Sequence, residues 1–341
     1  WTTNNDGSIL LSERADLLPM LPDQTGGIAV NIDASVTLQT IEGFGAAMSG
    51  SSAFVLKEYL TDAARTNLLR ELFTSDDGIG ISFIRLTIGA SDFSTADYTY
   101  NDLSGGGEDV DQSEFSLERD REHLISVLQE VMAINPDLKI MASPWSAPAW
   151  MKTNGDLRNG GELRTDLYSS YADYFVNYLQ EMAAAGIPIH AISVQNEPLL
   201  ASGYQTMEMS AQQQMLFIRD HLGPALAAAQ LDTKVIIYDH NWDVTSYALD
   251  VLNDNVAKGF IAGTGFHCYA GDVSAMSTVH DAHPDRGIYF TECSGGDFSP
   301  NFGTNLAWNS ENLLVGATRN WAKTVLFWNL ALNENAGPQN G

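Results

Sequence analysis

From about residue 40 onward, eight short apolar runs alternate with longer stretches whose apolar residues recur at helical spacing. Runs such as KVIIYD, GIYFTE and TVLFWN are almost continuously apolar, which is typical of parallel strands covered on both faces. The alternation predicts an α/β fold built as a (β/α)8 TIM barrel. We place strands at residues 41–48, 81–89, 139–146, 191–197, 235–242, 265–269, 287–293 and 324–331, and helices at 53–73, 117–135, 166–185, 207–230, 244–256, 273–282 and 307–322.

A doubly wound open sheet is the alternative α/β architecture. Such a sheet would normally carry a nucleotide-binding loop after its first strand, yet neither G-x-G-x-x-G nor G-x-x-x-x-G-K occurs there. A chain of 341 residues is long enough for a closed barrel with a sizeable core. The barrel is therefore the preferred interpretation.

The two ends of the chain do not follow the alternation. Residues 1–38 combine polar turns with short apolar runs, such as residues 26–32, and predict a few strands ahead of the barrel. A closed barrel needs a helix after its eighth strand, but the chain stops at Gly337-Pro338-Gln339-Asn340-Gly341. We therefore expect a barrel over residues 39–341 that lacks its last helix, in a chain shortened relative to the whole polypeptide.

The composition is strongly acidic, with 43 acidic and 17 basic residues and a formal net charge of -26. Such a surface repels nucleic-acid backbones and anionic membranes, whereas neutral sugars are not disfavoured. No run approaches the roughly 20 apolar residues of a membrane span. The histidines are scattered without metal-ligand spacing, so we expect no metal and no other cofactor. Cys268 and Cys293 end adjacent predicted strands, which could bring them close together, but they are too few for a disulfide framework, and we expect buried free thiols.

Two strands end on a glutamate that a strand-breaking residue follows. Residues 191–197 run into Asn196 and Glu197 before Pro198, and the seventh strand ends at Glu292. In a barrel, the C-terminal ends of the strands form the face that carries chemistry. Two carboxylates at that mouth are what glycoside hydrolysis requires, and a retaining enzyme holds them about 5–5.5 Å apart. The alternative is that each is an ordinary surface or helix-capping carboxylate.

Arg85 lies within the second strand and needs a carboxylate partner, because burying an unpaired guanidinium is costly. We expect this partner to be Glu292, which would then stay ionised as a nucleophile. The neighbouring negative charge would raise the pKa of Glu197 and keep it protonated as the acid. A purely structural ion pair is the alternative role of Arg85, and the two roles are compatible.

Aromatic residues fall at four predicted C-terminal strand ends, namely Trp145, Trp242, Tyr269 and Trp328. One aromatic residue in such a place is usually part of the core, but four around two carboxylates favour a sugar-stacking pocket. Asp92 follows the second strand and is equally well explained as a ligand for substrate hydroxyls or as a turn residue. His267 is a plausible hydrogen-bond partner in the site, although a lone histidine is usually part of the packing.

These motifs together resemble glycoside hydrolase family 30, the group that contains glucosylceramidases and endo-β-1,6-glucanases. The resemblance extends from about Gly43 to Pro338. Its two specific segments are ASPWSAPAWMKTNG at residues 142–155 and WNLALN at residues 328–333, whereas Asn-Glu-Pro alone is shared by many barrel glycosidases. The other matching segments are GFGAAM (43–48), SDFS (91–94), YTY (98–100), QNEP (195–198) and FTEC (290–293).

The resemblance implies a set of site residues and a further domain. Glu197 matches the acid/base of the family and Glu292 its nucleophile. Asn196 would hydrogen-bond the sugar 2-hydroxyl, and Arg85 and Tyr269 would contact the nucleophile. Similar proteins also carry a β-sandwich built from both chain ends, of which residues 1–38 would be one part. Asp92, Trp145 and Trp328 would line a glucose subsite. Phe93, Asn241 and His267 are further expected substrate-binding residues.

We therefore expect a retaining hydrolase of β-glucosidic bonds that acts by double displacement, with endo-β-1,6-glucanase as the preferred activity. Glucosylceramidase, or another β-glucosidase or β-xylosidase of the same family, is the alternative activity, and a non-catalytic carbohydrate-binding barrel is the alternative class. Cys268 and Gly50 replace an aromatic residue and an aspartate of the glucosylceramidase pattern, which weakens the case for a lipid substrate. We expect a secreted, extracellular or periplasmic monomer whose partner is a β-linked glucan or glucoside.

Overall fold

The computed structural model describes residues 2–15, 30–295 and 300–340. Its centre is a barrel of eight parallel strands in the order β1-β8-β7-β6-β5-β4-β3-β2. A parallel bridge between Ala47 and Arg85, and a 2.8 Å hydrogen bond from the Met48 N–H to the Arg85 carbonyl, join β1 to β2. The strands are β1 (Gly43–Ala46), β2 (Phe83–Ile88), β3 (Lys139–Pro144), β4 (Ala191–Ser193), β5 (Lys234–Asn241), β6 (Ile261–His267), β7 (Gly287–Glu292) and β8 (Ala322–Phe327).

All eight predicted strands are confirmed, although their ends differ. The strand β4 is only three residues long, because residues 194–197 leave the ladder and Glu197 reaches a φ of 46°. The strand β6 begins at Ile261, before the predicted start at residue 265. Gly263 allows this earlier pairing, since a Cβ there would collide with the Gly287 carbonyl oxygen of β7.

Helices on the outside of the barrel connect the strands, and each predicted helical stretch contains at least one helix, which for 307–322 is the π-helix Asn309–Ala317 that continues from α10. The stretch 53–73 is two helices rather than one, because the Thr61 hydroxyl accepts a hydrogen bond from the Ala64 N–H and caps a new helix. None of the helices in the described residues has the length and apolarity needed to span a bilayer. The helices are α1 (Gly50–Glu58), α2 (Asp62–Phe73), α3 (Ser126–Ile134), α4 (Tyr168–Ala184), α5 (Ala211–Phe217), α6 (Gly223–Ala228), α7 (Thr245–Leu252), α8 (Asn255–Lys258), α9 (Ala275–Ala282) and α10 (Phe302–Trp308).

The ends of the chain differ from the regular barrel. Thr2 and Ser12 form an antiparallel bridge, and the described part of residues 1–38 contains no longer strand. Residues 16–29, which include most of the run at 26–32, lie outside the described residues. After β8, residues 328–340 contain no helix. The division into residues 1–38 and 39–341 and the side β-sandwich stay predictions.

Side chains inside the barrel form two layers, because alternate residues of a strand point to the same face. The apolar layer lies toward the N-terminal end and consists of Phe83, Met141, Ala191, Ile236, Tyr289 and Leu326. Two residues further along four of these strands are the buried polar residues Arg85, Ser143, Ser193 and Thr291. This polar layer therefore lies directly beneath the C-terminal mouth of the barrel.

A buried carboxylate, Glu42, lies at the opposite end of the barrel, with a side chain only 6% exposed. It accepts hydrogen bonds of 2.8 Å from Lys234 and 3.1 Å from Tyr289, and its oxygens lie 3.1 Å from Lys323 and 2.9 Å from His190. Burial alone would raise the pKa of Glu42, but its hydrogen bonds with His190 and Lys234 outweigh burial and hold the pKa far below its usual range.

We predict that E42Q lowers the free energy of unfolding at neutral pH by about 1–3 kcal/mol, because several donors lose their charged acceptor. The stabilisation from a depressed pKa is present above about pH 4.3, the pKa of an unfolded glutamate, and is lost as the pH falls below it. Urea unfolding should therefore show a difference between E42Q and the wild type that shrinks on acidification. E71Q, at an exposed position of α2, is the control. A difference that does not depend on pH would contradict this account.

Candidate active site

The polar layer converges on one fully buried carboxylate, Asp239, near the end of β5. The pairing of β5 with β6 is irregular between Tyr238 and His240, and Asp239 has a φ of 58°. This local irregularity places Asp239 inside the barrel, where it connects five strands. Its oxygens accept hydrogen bonds of 2.6 to 3.1 Å from the side chains of Arg85, Ser143, Ser193, His267 and Thr291.

Arg85 connects Asp239 to the predicted nucleophile. Its Nη2 donates hydrogen bonds to Asp239 (2.8 Å) and to Asn196 Oδ1 (2.7 Å), and its Nη1 lies 2.5 Å from Glu292 Oε2. The guanidinium carbon also lies 4.9 Å from the ring centroid of Trp145. The expected pairing of Arg85 with Glu292 is therefore confirmed, and the buried cation has two carboxylate partners.

Glu197 and Glu292 converge on the same space at the mouth. The N–H of Glu197 donates a 3.0 Å hydrogen bond to the Asp239 carbonyl, and Glu292 is the last residue of β7. Nδ1 of His267 lies 3.0 Å from Glu197 Oε1 and 3.9 Å from Glu292 Oε1. Oxygens of the two carboxylates lie within 4.8 Å of each other. Carboxylates from opposite sides of the barrel thus face one point.

Tyr269 binds the second oxygen of Glu292. Its hydroxyl donates a 2.8 Å hydrogen bond to Glu292 Oε1 and accepts one of 3.1 Å from the Ser294 N–H. The N–H of Tyr269 donates to Asn241 Oδ1 at 3.1 Å. Because Arg85 binds Oε2, both carboxylate oxygens of Glu292 have a partner.

The two glutamates open into a cleft of about 360 Å³. Trp328 forms one wall, and the ring of Phe93 lies edge-on to it with 6.0 Å between ring centroids. Trp145 stacks on Trp328 at 5.2 Å and is only 2% exposed, so it supports the wall from behind. The expectation that Trp242 belongs to this mouth is wrong, because it is buried against Phe290. The residues lining the cleft are Asp92, Phe93, Glu197, Leu200, Tyr204, His240, Asn241, Tyr269, Glu292, Ser294 and Trp328.

His267 is a cation held between carboxylates. Its Nδ1 faces Glu197 at 3.0 Å and its Nε2 faces Asp239 at 3.1 Å. Burial alone would lower the pKa of His267, but the charge of Glu292 and the hydrogen bonds with Asp239 and Glu197 outweigh burial and raise it to about 9. At neutral pH the imidazolium therefore donates one hydrogen bond to Glu197 and one to Asp239.

The imidazolium reverses the expected pKa shift of Glu197. Burial alone would raise this pKa, but the hydrogen bond and positive charge of His267 hold it below its usual value. Burial raises the pKa of Glu292 against the opposing charges of His267 and Arg85, and the charge of Glu197 adds to the rise. The expectation of a raised pKa at Glu197 is wrong, because it omitted His267 as a cation.

Asp92 adds another carboxyl group to the mouth. Burial, and then the charges of Glu292 and Glu197, raise the pKa of Asp92 to about 7. The Asp92 carbonyl accepts a 2.6 Å hydrogen bond from the Asn340 N–H, so the segment after β8 helps to hold this loop. Below neutral pH, Asp92 is a carboxylic acid that can both donate to and accept from a hydroxyl group.

Sequence reasoning missed five residues of this site, namely Asp239, Leu200, Tyr204, His240 and Ser294. His240 and Tyr204 line the cleft, and Asp239 lies beneath it. Asp239 ends the apolar run KVIIYD, which is the same signal of a carboxylate after a buried strand that identified Glu197 and Glu292. Tyr204 lies in the connection after β4, where no pattern marks it.

The expectation of free thiols is also wrong, because Cys268 and Cys293 form a disulfide with their Cα atoms 5.4 Å apart. Each cysteine directly follows the last residue of its strand, and those last residues, His267 and Glu292, are paired. Neighbouring strands bring Cα atoms into the range that a disulfide spans. The signal available in the sequence was that both cysteines lie at the ends of adjacent predicted strands.

Glu197, His267 and Glu292 offer ligand atoms that lie within 4.8 Å of one another. These atoms already hydrogen-bond within the cluster, and Glu292 is also bound by Arg85 and Tyr269. A cation at this point would meet the positive charges of the guanidinium and the imidazolium. The donor set is therefore better suited to acid–base chemistry than to holding a metal ion.

A parallel eight-stranded barrel with two carboxylates converging at its C-terminal mouth defines a class, that of barrels built like glycoside hydrolases. The chain matches the glycosyl hydrolase family 30 TIM-barrel domain over residues 41–340. It belongs to this family, which confirms the resemblance seen in the sequence.

Similar proteins include two fungal enzymes and a nematode protein. An endo-1,6-β-D-glucanase of Aspergillus fumigatus is 37% identical over 93% of this chain and 66% of its own length. An endo-1,6-β-D-glucanase of Neurospora crassa is 38% identical over 93% of this chain and 65% of its own length. A putative glucosylceramidase of Caenorhabditis elegans is 34% identical over 99% and 67%. The solved structure of an endo-β1,6-glucanase aligns with a TM-score of 0.86 and 34% identity over 90% of this chain and 69% of that one. The chain spans about two thirds of the length of these proteins.

We predict that D239N lowers the pKa of His267 from about 9 toward its ordinary value of about 6.5, because the ring loses a charged acceptor. The stabilisation from a raised pKa is present below about pH 6.5 and is lost as the pH rises through the folded value. D239N should therefore lose this contribution at and below neutral pH, in addition to the buried ion pair with Arg85, whose loss extends above neutral pH. ¹⁵N-detected titration of the imidazole and unfolding at several pH values measure the two effects.

S143A is the matched control for D239N, because the Ser143 hydroxyl also donates to Asp239 but is not among the hydrogen-bond partners of His267. This variant should leave the histidine pKa nearly unchanged. An unaltered titration midpoint in D239N would show that Asp239 does not hold the imidazolium.

Proposed function

We propose that this chain carries the active site of a retaining hydrolase of β-glucosidic bonds. The spacing of the glutamates supports this proposal most directly, since oxygens of Glu197 and Glu292 lie within 4.8 Å of each other. Retaining enzymes hold their carboxyl groups about 5–5.5 Å apart, whereas inverting enzymes need about 6.5–9.5 Å to admit a water. The short separation favours direct attack of a carboxylate on the sugar.

Glu292 is the proposed nucleophile. Arg85 on Oε2 and Tyr269 on Oε1 hold its carboxylate in one orientation and stabilise the anionic form. Attack on the anomeric carbon forms a glycosyl ester with Glu292 as the bond to the leaving oxygen breaks. A carboxylate with both oxygens bound needs little reorganisation before this step.

Glu197 is the proposed acid and, later, the base. In the free site the pKa of Glu197 is lowered and that of Glu292 is raised. A glycosidic oxygen only accepts hydrogen bonds, so a bound substrate favours the opposite distribution, with a proton on Glu197 and the charge on Glu292. The Glu197 carboxylate then takes a proton from the water that hydrolyses the ester. His267, 3.0 Å from Oε1, orients Glu197 in both steps.

Three further side chains are proposed to bind the sugar. The ring of Trp328 offers an apolar wall to the C–H face of a pyranose. Asp92 faces the cleft as an acceptor for the C4 or C6 hydroxyl of glucose. Asn196 holds Arg85 through Oδ1, which leaves its amide N–H groups for the 2-hydroxyl.

We propose a β-1,6-linked glucan as the substrate. The similarity to two fungal endo-1,6-β-D-glucanases and to a solved endo-β1,6-glucanase supports this choice. Glucosylceramide is the second candidate, because putative glucosylceramidases are also similar to the chain. The disulfide at Cys268, where the glucosylceramidase pattern has an aromatic residue, favours the glucan. It also supports a secreted or periplasmic location, because disulfides persist in oxidising compartments. A monomer stays a prediction.

We predict that E197A and E292A each lower hydrolysis of β-1,6-glucan, by roughly 10²–10⁴-fold for loss of the acid/base and by at least as much for loss of the nucleophile. With an aryl β-glucoside, whose leaving group departs without a proton, azide should rescue the two variants with opposite stereochemistry. E197A should yield a β-glucosyl azide from the ester on Glu292, and E292A an α-glucosyl azide by direct displacement. NMR of the azide products distinguishes them.

E162Q, an exposed glutamate in the connection after β3, is the control and should keep wild-type activity. Unchanged hydrolysis by E292A would exclude Glu292 as the nucleophile, whereas glucan binding without hydrolysis by the wild type would favour the alternative class, a non-catalytic carbohydrate-binding barrel. Azide products of the same configuration from both variants would contradict the assigned roles.

We predict that the protein releases sugars from β-1,6-glucan faster than from glucosylceramide, β-1,3-glucan or β-1,4-glucan. The product first released should have the β configuration, because two displacements restore the starting stereochemistry. Reducing-end assays and time-resolved NMR measure the two properties. Hydrolysis of glucosylceramide alone would reverse the order of the candidates, and an α product would exclude Glu292 as the nucleophile.

A further inference from the structure

The disulfide lies where the pairing of β6 and β7 ends. Phe266 pairs with Phe290, and after a one-residue irregularity His267 pairs with Glu292. The hydrogen-bonded ladder stops there, and the chain after β6 passes into bends at residues 268–271. The next residue of each strand is a cysteine, so the Cys268–Cys293 disulfide continues the connection one step beyond the last pair.

The two halves of the disulfide are held unequally. Cys293 is 2% exposed, and its carbonyl accepts a 2.9 Å hydrogen bond from the Trp328 N–H, which fixes it to the segment after β8. Cys268 is partly exposed and leads into the bend that contains Tyr269. The segment after β6, which begins at Cys268, is therefore the less restrained of the two segments that the disulfide joins.

Tyr269 depends on that support. It is 44% exposed. Among the described residues, its N–H donates to Asn241, its hydroxyl donates to Glu292, and its hydroxyl accepts from the Ser294 N–H. A side chain in a half-exposed bend can leave a single acceptor at little cost unless its backbone is restrained. The residue before it in the sequence is the disulfide-bonded Cys268.

We propose that the Cys268–Cys293 disulfide is a positioning element that holds the Tyr269 hydroxyl on Glu292 during hydrolysis. The kinetic part of this inference rests on the function proposed above. The disulfide joins the backbone next to the phenol donor to the backbone next to its carboxylate acceptor, so it limits the distance between them. Without it, Glu292 keeps Arg85 on Oε2 but loses its partner on Oε1.

The first experiment measures the position of the phenol without using activity. In the wild type, burial of the hydroxyl group, and then the charge of Glu292, raise the pKa of Tyr269 well above its ordinary value, although the residue as a whole is 44% exposed. ¹³C-tyrosine NMR should therefore show Tyr269 titrating well above the pH of about 10 at which a free phenol titrates. In C268S/C293S the signal should titrate near the free value. Y269F identifies the signal among the 12 tyrosines.

The second experiment is a double-mutant cycle on hydrolysis of β-1,6-glucan. C268S/C293S and Y269F should each lower kcat by roughly tenfold or more, the effect of losing a hydrogen bond to a charged group, with KM nearly unchanged. Because both changes remove the same contact, combining them should give little further loss. Y269F, which keeps the disulfide, is thus the matched control.

The outcomes separate positioning from simple stabilisation. If the disulfide is only structural, its removal lowers the melting temperature but leaves kcat and the Tyr269 titration unchanged. Alternatively, C268S/C293S and Y269F lower kcat independently, so that their effects multiply in the combined variant. Either result overturns the proposal. If C268S/C293S does not fold, reduction of the folded wild type with a phosphine gives the same unlinked state for both measurements. If the wild type hydrolyses no β-glucoside, the proposed function fails, and the NMR titration still decides whether the disulfide positions Tyr269.

Discussion

The arrangement of the mouth depends on one buried ion pair, that of Arg85 with Asp239 at 2.8 Å, in which both side chains are fully buried. Taking both charges out of water is expensive, and the pair is tolerable only with further hydrogen bonds to its remaining polar atoms. Ser143, Ser193 and Thr291 of the polar layer donate to Asp239, and the guanidinium continues to Glu292. The network therefore fixes orientation, while the apolar layer and the packed helices supply the stability.

The regular part of this design could be predicted from the sequence. Two glutamates that end buried strands must lie at the same edge of a parallel barrel, and this places Glu197 near Glu292 without any knowledge of coordinates. A cation within a buried strand must find a carboxylate, which identified the partner of Arg85. Both inferences use only the direction of parallel strands and the cost of an unpaired charge, and both agree with the structure.

The errors fall where the strands are irregular. A one-residue change of register in β5 turns Asp239 inward, and Trp242, just beyond it, packs against Phe290 in the core instead of facing the mouth. A similar irregularity between β6 and β7 brings Cys268 level with Cys293. Such shifts depend on packing between strands, so a pattern that assumes strict alternation cannot contain them. The positive charge of His267 was missed for a related reason. It depends on the carboxylates of Glu197, Asp239 and Glu292, which come from three other parts of the barrel.

The same fixed charges suit both halves of the proposed reaction. Before attack, the cations Arg85 and His267 face the anions Asp239 and Glu292, and the proton on Glu197 leaves these groups with no net charge. After attack, Glu292 is an uncharged ester and Glu197 has given up its proton, so the two cations face Asp239 and Glu197. The sum of charges is again zero. The negative charge thus passes from Glu292, which contacts Arg85, to Glu197, which contacts His267. Because each glutamate has a cation beside it, neither step creates an unpaired charge in a poorly solvated site.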